Sequence, residues 1–444
     1  MTTALIEIND SGVDVSIDGA RVACSPGYAV LDGSEMLIGE AAQTHARLLP
    51  RWTNTRFWQQ LDTSPLATHS SHIRHHADLV LQHLEVIWQS LPVAADEALL
   101  AIPGDYSTNQ LSLLLGIIKE ARIPLVGLVD TALVAAADQP HKQCLYLDIH
   151  LHRITLSHLA IDGNIRRSST RTVIETGLFT LWDRWANIIA SQLIQTSRYD
   201  PMHKADSEQL LFDRIPGWIA QRDSQPDQAF SLEHDGVHHG VSVSDNLLLN
   251  ACSNVYPAVI QAVRALTKVS GARLLVSHRF NGFPGLTDSL ALLRDISVER
   301  LAADVVSRGM FRHLDRLRSN QNQVAYITSL SMDNAGDPGD ATTADSLAVA
   351  QTANNQRSVS HVLLGSHAWP IGAVLNLTGV NGEQLIEDRQ RPKCTIYPRG
   401  QQTFVEAGAE GVMLNQQQIH GQVRVSPGDT ITLDGQSLTL ISSG

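Results

Sequence analysis

The sequence predicts a mixed α/β protein with two related lobes, followed by a small all-β domain. Strand and helix patterns alternate twice before residue 330, and each series opens with a hairpin pattern. A stretch rich in Gly, Asp, Asn, Thr, Ala and Gln then runs from Met332 to Arg357, which is the composition of a flexible linker. Residues 358–444 contain short strand patterns separated by glycine and proline, which is typical of a β-sandwich.

The first series begins with a hairpin that turns at residues 9–12 and continues with a strand pair that turns at Asp32 and Gly33. Apolar residues at helical spacing then alternate with short apolar runs. They predict helices over 77–90 and 108–121, strands over 99–102 and 125–129, and a helix that begins at Thr131.

The second series repeats this arrangement. A hairpin pattern covers Cys144 to Leu159, and a long helix rich in Trp and Leu is predicted over Ile174 to Leu193. Residues 245–266 are predicted to be helical with a kink or break at Pro257. A strand follows over residues 273–276.

Composition excludes several classes of function. The chain has 444 residues and a net charge of −12, which disfavours general binding to nucleic acid or anionic lipid. It shows neither a signal peptide nor an apolar run long enough to span a membrane, so we expect a cytoplasmic protein. The four cysteines are far apart and form no C-x-x-C pair, so no zinc site or disulfide framework is predicted.

Six blocks of the sequence recur in the order of a known family: residues 25–30, 37–42, 97–103, 129–137, 145–148 and 275–286. Together they resemble the heat-shock-seventy chaperones and, more broadly, the actin-like ATPase superfamily. The resemblance covers residues 1–300. It implies that residues 1–331 form a two-lobed actin-like fold with ribonuclease-H-like lobes and a nucleotide cleft between them.

The same resemblance implies that the catalytic groups of the family are missing. Such ATPases use glycine-rich turns to cradle phosphates, aspartates to hold hydrated magnesium, and a lysine to stabilise the transferring phosphoryl group. Here the first turn, residues 9–12, has a single glycine, and the second turn carries two histidines and a leucine in place of glycines. The first lysine of the chain is Lys119, so the catalytic lysine is absent. Asp130 stands where the family has a glutamate.

We therefore interpret residues 1–331 as a pseudo-ATPase with a vestigial or altered nucleotide cleft, in which side chains fill the phosphate volume. We assign no catalytic residue and no metal ligand, and we expect no cofactor. The candidate cleft residues are Asn9, Asp10, Asp130, Asp148, His150, His152 and Arg153. An alternative interpretation keeps ATP or ADP with magnesium, held by altered contacts from Asp148, His150, His152 and Arg153.

Histidines and aromatic residues form further clusters. His69, His72 and His76 have helical spacing, and a polar helix start is favoured over a metal site. Asp148, His150 and His152 are predicted on one strand face as a hydrogen-bonded plug, while a hairpin carrying His234, His238 and His239 is predicted to be exposed. The aromatic residues at positions 52, 57, 58, 179, 182 and 185 are predicted to be core.

Residues 358–444 resemble a forkhead-associated domain, most clearly at residues 411–415 and 427–435. Such domains bind phosphothreonine through an arginine and a serine. This chain has Ala373 at the position of the arginine, residues 391–394 at the serine segment, and Gln416 in place of a glycine. A structural or docking sandwich is therefore favoured over a phosphoprotein-reading adaptor.

The favoured function is a cytoplasmic scaffold or adaptor that binds protein partners through the two-lobed core and the C-terminal sandwich. Nucleic-acid binding and membrane insertion are not expected, and a homo-oligomer is left open. The competing functions are an ATP-binding chaperone-like or regulatory protein and the phosphoprotein-reading adaptor. The peptide-clamping domain of the chaperone family is not visible after residue 330.

Overall fold

The computed structural model divides the chain into two compact units, Met1–Gly336 and Asp337–Gly444. It describes most of the chain, and the predicted linker, Met332 to Arg357, lies outside the described residues. Residues left undescribed are 34, 67–71, 138–142, 226–228, 267–270, 294–295, 320–323, 325, 332–358, 360, 365–366, 373, 382–383, 388–391, 400–401, 409–410, 416, 420, 426–428, 435 and 442–444.

The first unit is mixed α/β. Its strands are β1 Thr3–Glu7, β2 Val13–Ile17, β3 Ala20–Ser25, β4 Ala29–Asp32, β5 Glu35–Ile38, β6 Thr53–Asn54, β7 Glu97–Ile102, β8 Leu125–Asp130, β9 Gln143–Ile149, β10 Arg153–Asp162, β11 Asn164–Ile174, β12 Phe230–His234, β13 Val237–Val241, β14 Ala272–Val276, β15 Ile296–Arg300, β16 Tyr326–Ile327 and β17 Ser329–Ser331. Its helices are α1 Glu40–Gln43, α2 Phe57–Gln60, α3 His76–Gln89, α4 Thr108–Glu120, α5 Thr131–Ala136, α6 Leu178–Ser197, α7 Ala205–Gln221, α8 Asp245–Asn250, α9 Val255–Leu266, α10 Leu286–Ala291, α11 Val305–Arg312 and α12 Leu314–Leu317.

The same strand arrangement occurs twice in this unit. The first sheet has the order β16-β8-β7-β1-β2-β3, and the second has the order β15-β14-β9-β10-β11-β17. In each sheet an antiparallel meander of three strands, β1 to β3 or β9 to β11, pairs through its first strand with one parallel strand, β7 or β14, which pairs in turn with a second parallel strand, β8 or β15. The sixth strands differ, because β16 lies beside β8 whereas β17 lies beside β11. The duplication of order and direction agrees with the two alternating series of the sequence.

Local chemistry explains several of these elements. All five residues of β1 are buried, as expected for a central strand covered on both faces. Helix α4 begins with a capping box, in which the Ser107 hydroxyl accepts from the Gln110 amide and the Gln110 side chain accepts from the Ser107 amide. These predicted elements are present within one or two residues of their expected bounds.

Two helix predictions were wrong in detail. The helix expected from Ile174 begins at Leu178, because residues 164–174 continue the meander as a third strand, β11. The helix expected over 245–266 is two helices, and the break precedes Pro257. Pro257 is the third residue of α9, where a missing backbone N–H has no helical partner to lose.

The two sheets share one apolar layer. Leu5 and Leu99 of the first sheet and Tyr146 and Leu275 of the second belong to a single buried cluster that also includes α5 and residues of α11. Each sheet has a further cluster that includes helices packed beside it, α3 and α4 in one case and α6 and α9 in the other. The apolar layer around α5 therefore joins the two six-stranded sheets.

Gly309 makes this layer tight, because a Cβ atom there would overlap the backbone carbonyl of Val134. We expect Gly309→Ala to lose about 1–2 kcal/mol of stability, since overpacking outweighs the gain in helix propensity. Gly116 in α4 is the matched control because it is exposed and a Cβ there meets nothing within 4 Å. Urea unfolding should show Gly116→Ala as neutral or slightly stabilised; equal behaviour of the two variants would contradict the packing argument.

In the second unit, the described regular elements are all strands. They are β18 His361–Leu364, β19 His367–Pro370, β20 Leu375–Asn381, β21 Gln384–Glu387, β22 Cys394–Arg399, β23 Gln402–Ala407, β24 Met413–Leu414, β25 Gln417–Gln418, β26 Gly421–Val425, β27 Thr430–Leu433 and β28 Gln436–Ile441. They form two sheets, β19-β18-β28-β27-β24-β25 and β21-β20-β22-β23-β26. One buried cluster takes residues from both sheets, including Val362, Ile396 and Leu440.

None of the helices in the described part of the chain is long and apolar enough to cross a membrane.

Candidate functional site

Two turns of the first unit meet where the sequence places the nucleotide cleft. One is the turn between β1 and β2, and the other joins β9 to β10. The side-chain nitrogen Nδ2 of Asn9 donates to Asp148 Oδ2 at 3.0 Å and to the backbone carbonyl oxygen of Ile149 at 3.1 Å. The two sheets are thereby joined through buried polar side chains.

Asp10 and Arg153 form the centre of this contact. Arg153 Nη1 lies 3.2 Å from Asp10 Oδ2, and the two side chains are 4% and 1% exposed. His150 Nδ1 lies 3.6 Å from Asp10 Oδ1, and its Nε2 lies 3.3 Å from the Thr155 hydroxyl. The predicted residues Asn9, Asp10, Asp148, His150 and Arg153 are therefore brought together.

Arg153 also binds Asp105, which follows β7 and was not predicted. Its Nε and Nη2 atoms donate to the two carboxylate oxygens of Asp105 at 2.6 and 3.3 Å. Burial alone would lower the pKa of Arg153, but the carboxylates of Asp105 and Asp10 outweigh it and raise that pKa. Burial raises the pKa of Asp10, even though Arg153 and the Leu151 amide act in the opposite direction.

Several backbone amides of the two turns are used internally. The amide of Leu151 donates to Asp10 Oδ1 at 2.7 Å, and the amide of Ser11 donates to Asn9 Oδ1 at 2.9 Å. The amides of Gly12 and His150 donate to backbone carbonyls. A phosphate cradle needs such amides free and convergent, so these donors do not form one.

The start of α6 is occupied in the same way. A helix N-terminus can bind an anion through its first free amides. Here the amides of Leu178 and Phe179 donate to the carbonyls of His150 and Leu151 at 2.9 and 2.8 Å. Gly177 packs so closely on the turn that a Cβ atom there would overlap the Leu151 carbonyl.

His152 faces a different neighbour from His150. Its Nε2 lies 2.9 Å from the Thr55 hydroxyl, and its ring is 5.3 Å from that of Phe179. Burial lowers the pKa of His152 to about 4 and holds that of His150 well below its usual range. The predicted common strand face was wrong, because both histidines lie in the turn after β9 ends at Ile149.

Asp130 lies at the end of β8 and belongs to a separate pair. Its Oδ2 is 2.5 Å from Arg167 Nε and accepts from the Tyr326 hydroxyl at 3.0 Å, while its Oδ1 accepts from the Ala132 amide at 2.9 Å. Burial raises the pKa of Asp130 despite these partners. Asp130 therefore serves as the N-cap of α5 and as a contact to β11.

Arg279, which the sequence analysis did not assign to the site, contacts three carboxylates. Arg279 Nη1 lies 2.8 Å from Glu7 and 3.6 Å from Asp148, and its Nη2 lies 3.4 Å from Asp14. Burial would lower the pKa of Arg279, but Glu7, Asp148 and Asp14 raise it well above its usual range. The available signal was an arginine that follows the buried strand β14, within the block 275–286 that carries part of the family resemblance.

These residues do not fit a magnesium-bound nucleotide. Each carboxylate that could hold a hydrated ion already contacts an arginine or an asparagine, and Arg153 is consumed by two aspartates. Across the part of the chain that the structure describes, no group of three His, Cys, Asp or Glu residues is placed to hold a metal ion. We derive no chemical step through a nucleotide here.

The other predicted clusters differ in outcome. Helix α3 begins at His76, so residues 72–75 are not helical, and His76 Nδ1 binds Asp62 at 2.8 Å; His69 lies outside the described residues. The hairpin β12–β13 is present, but only His238 among its histidines is largely exposed, because His239 stacks on Tyr199 at 3.8 Å. His234 also packs near Tyr199.

The predicted aromatic core is present with one exception. Phe57, Trp58, Trp182 and Trp185 are buried, and Phe179 is half-buried, whereas Trp52 is 39% exposed.

In the second unit, the residues compared with phosphopeptide-binding positions are only partly described. Ala373, Arg391 and Gln416 lie outside the described residues. Lys393 pairs with Asp434 at 2.7 Å. Asn415 donates to Asp429 at 2.9 Å and accepts from the Thr430 amide, so it holds the turn between two strands.

The chain matches no protein-family model and no curated protein.

Proposed function

We propose that residues 1–331 form a two-lobed actin-like fold of the heat-shock-seventy type that no longer holds nucleotide. On this proposal the chain is a non-catalytic, cytoplasmic scaffold or adaptor for protein partners. Residues 358–444 add a forkhead-associated-like β-sandwich that docks without reading phosphate.

The duplicated sheet supports the fold part of this proposal. Two ribonuclease-H-like lobes would each contain a three-stranded antiparallel meander followed by two parallel strands. Both six-stranded sheets of the first unit contain five strands in that order, and one apolar layer joins the two sheets. Each meander also contributes one of the two turns that meet at Asp10 and Arg153.

The single observation that carries the loss of function is the filling of the cleft by arginine–carboxylate pairs. Arg153 and Arg279 each join the two sheets through side chains that are less than a tenth exposed. Turnover requires a substrate held against preorganised charge. A pair of buried arginines bound to the carboxylates leaves no such arrangement, whereas a fixed pair of lobes suits the presentation of protein-binding surfaces.

Calorimetric titration of the full chain with ATP·Mg²⁺ and ADP·Mg²⁺ tests this proposal. We expect no heat of binding and no rise of the melting temperature at millimolar nucleotide, because a ligand of the native state must stabilise it. A catalytically competent heat-shock-seventy protein measured in parallel is the positive control. Saturable binding by this chain would favour the ATP-binding alternative.

The docking role of the second unit needs a separate experiment. The full chain is compared on phosphothreonine peptides and on the same peptides without phosphate. We expect equal retention, since Lys393 is already paired with Asp434. Retention that depends on phosphate would favour the phosphoprotein-reading adaptor instead.

A further inference from the structure

Strand β11 has one edge that is mostly open. In the second sheet it lies between β10 and β17. β10 pairs with it along its whole length, with one irregularity at Ser168, whereas β17 pairs only with residues 164–166. The Arg167 amide donates to the carbonyl oxygen of Thr328, just before β17, at 3.1 Å. In the part of the chain that the structure describes, no strand pairs with this edge over residues 169–174, which we call the open edge.

The strand that carries the open edge is basic. Residues 164–174 contain three arginines and no acidic residue, although the whole chain has a net charge of −12. Arg167 is already held by the buried carboxylate of Asp130. Arg166 and Arg171 are exposed, one beside the open edge and one within it. The open edge therefore combines backbone groups that can accept a further strand with positive charge at the surface.

We propose that the open edge of β11 binds an extended acidic segment of a protein partner, which adds to the second sheet as a further strand. This inference rests on the proposed scaffold function and deepens it, because it names the chemistry of a partner and the surface that meets it. Backbone hydrogen bonds supply the affinity of such strand addition, and side chains beside the strand supply the selectivity. Here Arg166 and Arg171 select acidic residues.

The structure gives two reasons for this choice of occupant. β17 already forms an antiparallel ladder on the same edge, from Asn164 to Arg166, so the backbone there is suited to strand pairing. Charge then decides what continues the ladder. A second copy of β11 would bring arginines opposite arginines, and like charges on paired strands are destabilising, whereas an acidic strand brings opposite charges together. Ile174 is 66% exposed at the far end, so an aliphatic residue of the partner can cover it.

Fluorescence anisotropy of labelled peptides with the full chain tests the inference. The probe is a peptide of about ten residues in which Glu alternates with Val, long enough to cover residues 169–174. One control peptide has Lys in place of Glu, and another is the Glu peptide with N-methylated backbone amides, which cannot donate to an edge. We expect saturable binding of the Glu peptide alone, and we expect added salt to weaken it.

Two double variants localise the binding. Arg166→Glu/Arg171→Glu should weaken binding of the Glu peptide about tenfold or more, because two attractive contacts become repulsive. Arg51→Glu/Arg198→Glu makes the same change in net charge at two exposed positions on other elements, so it should leave binding unchanged. If the first variant does not fold, the comparison of the three peptides on wild type decides the question alone.

The results separate this inference from the proposed function. The inference is overturned if the Glu peptide does not bind, if either control peptide binds equally well, or if both double variants behave alike. The scaffold proposal survives these outcomes, because it does not depend on this edge. Self-association of wild type that Arg166→Glu/Arg171→Glu abolishes would assign the edge to a second copy and also overturn the inference. Nucleotide binding by wild type would instead overturn the proposed function and leave the peptide result standing.

Discussion

Arg153→Met is expected to destabilise the first unit by about 3–5 kcal/mol, because it leaves a buried carboxylate without its partner. Asp10 is 1% exposed, and Arg153 is the cation that contacts it. Methionine preserves much of the packing volume, so the loss reports the charge rather than a cavity. Urea unfolding followed by circular dichroism measures it.

Two controls make this result specific. The double variant Asp10→Asn/Arg153→Met removes both charges and keeps an oxygen that accepts from the Leu151 amide, so it should recover most of the loss. Arg21→Met breaks a pair whose arginine is 54% exposed, and it should cost less than about 1 kcal/mol. Equal losses for Arg21→Met and Arg153→Met would show that burial of the pair is unimportant.

The pH dependence of the Arg153→Met effect has a definite sign. Burial raises the pKa of the Asp10 carboxyl, and removal of Arg153 raises it further. A carboxyl whose pKa is higher in the folded state costs stability once it ionises, and this cost decreases as pH falls through the folded-state pKa towards the unfolded pKa. The decrease begins at the raised pKa of the folded state and is complete only below the unfolded value of 3.8, so the difference between wild type and Arg153→Met should shrink as the pH falls through that range.

The elements of the first unit could largely be predicted because their signals are local. Alternating apolar residues and a glycine turn were enough for β1 and β2, and helical spacing was enough for α3 and α4. The third strand of the second meander could not be predicted, because residues 164–174 are mostly exposed and polar. Pairing with β10, a tertiary contact, makes them a strand.

The site shows the same division between local and distant information. The structure brings Asn9, Asp10, Asp148, His150 and Arg153 together, because the turns that follow β1 and β9 lie against each other. Arg279 and Glu7 are 272 positions apart, and no spacing rule relates them. Asp105 was missed for a similar reason, because its role depends on the reach of an arginine from the other sheet.

Acid should unfold the first unit over a narrow pH range, through three buried histidines. His83, His150 and His152 are 0%, 1% and 4% exposed. Burial lowers the pKa of His83 to about 3 and that of His152 to about 4, and it holds that of His150 well below its usual range. All three are therefore neutral in the folded protein near neutral pH.

Each of these histidines has a lower pKa in the folded state than the unfolded value of 6.5. Its contribution to the free energy of unfolding is therefore fully present above pH 6.5 and is lost as the pH falls below that value. Between about pH 7.5 and about pH 5.5 the loss is about 1.4 kcal/mol for each histidine, or about 4 kcal/mol for three. The free energy of unfolding of a domain is about 5–15 kcal/mol, so this change is large. Urea unfolding at a series of pH values measures it.

His83 allows the argument to be tested at a single side chain. The indole N–H of Trp58 donates to His83 Nδ1 at 2.9 Å, so Nε2 carries the proton and donates to the Ser25 hydroxyl at 2.7 Å. Protonation of Nδ1 would break the bond to Trp58.

His83→Gln keeps one donor and one acceptor but does not titrate. The stability of this variant at neutral pH should therefore be lower than that of wild type, and the slope of its free energy of unfolding against pH should be smaller by about one proton. The exposed His238 is the control for the substitution itself, and His238→Gln should leave the stability at neutral pH almost unchanged. The buried carboxyls Glu7, Asp10 and Asp130 act in the opposite direction because their pKa values are raised, but they are common to all these variants and cancel in the comparison. An unchanged slope in His83→Gln would show that this histidine is charged in the folded state, and it would contradict the hydrogen bond from Trp58.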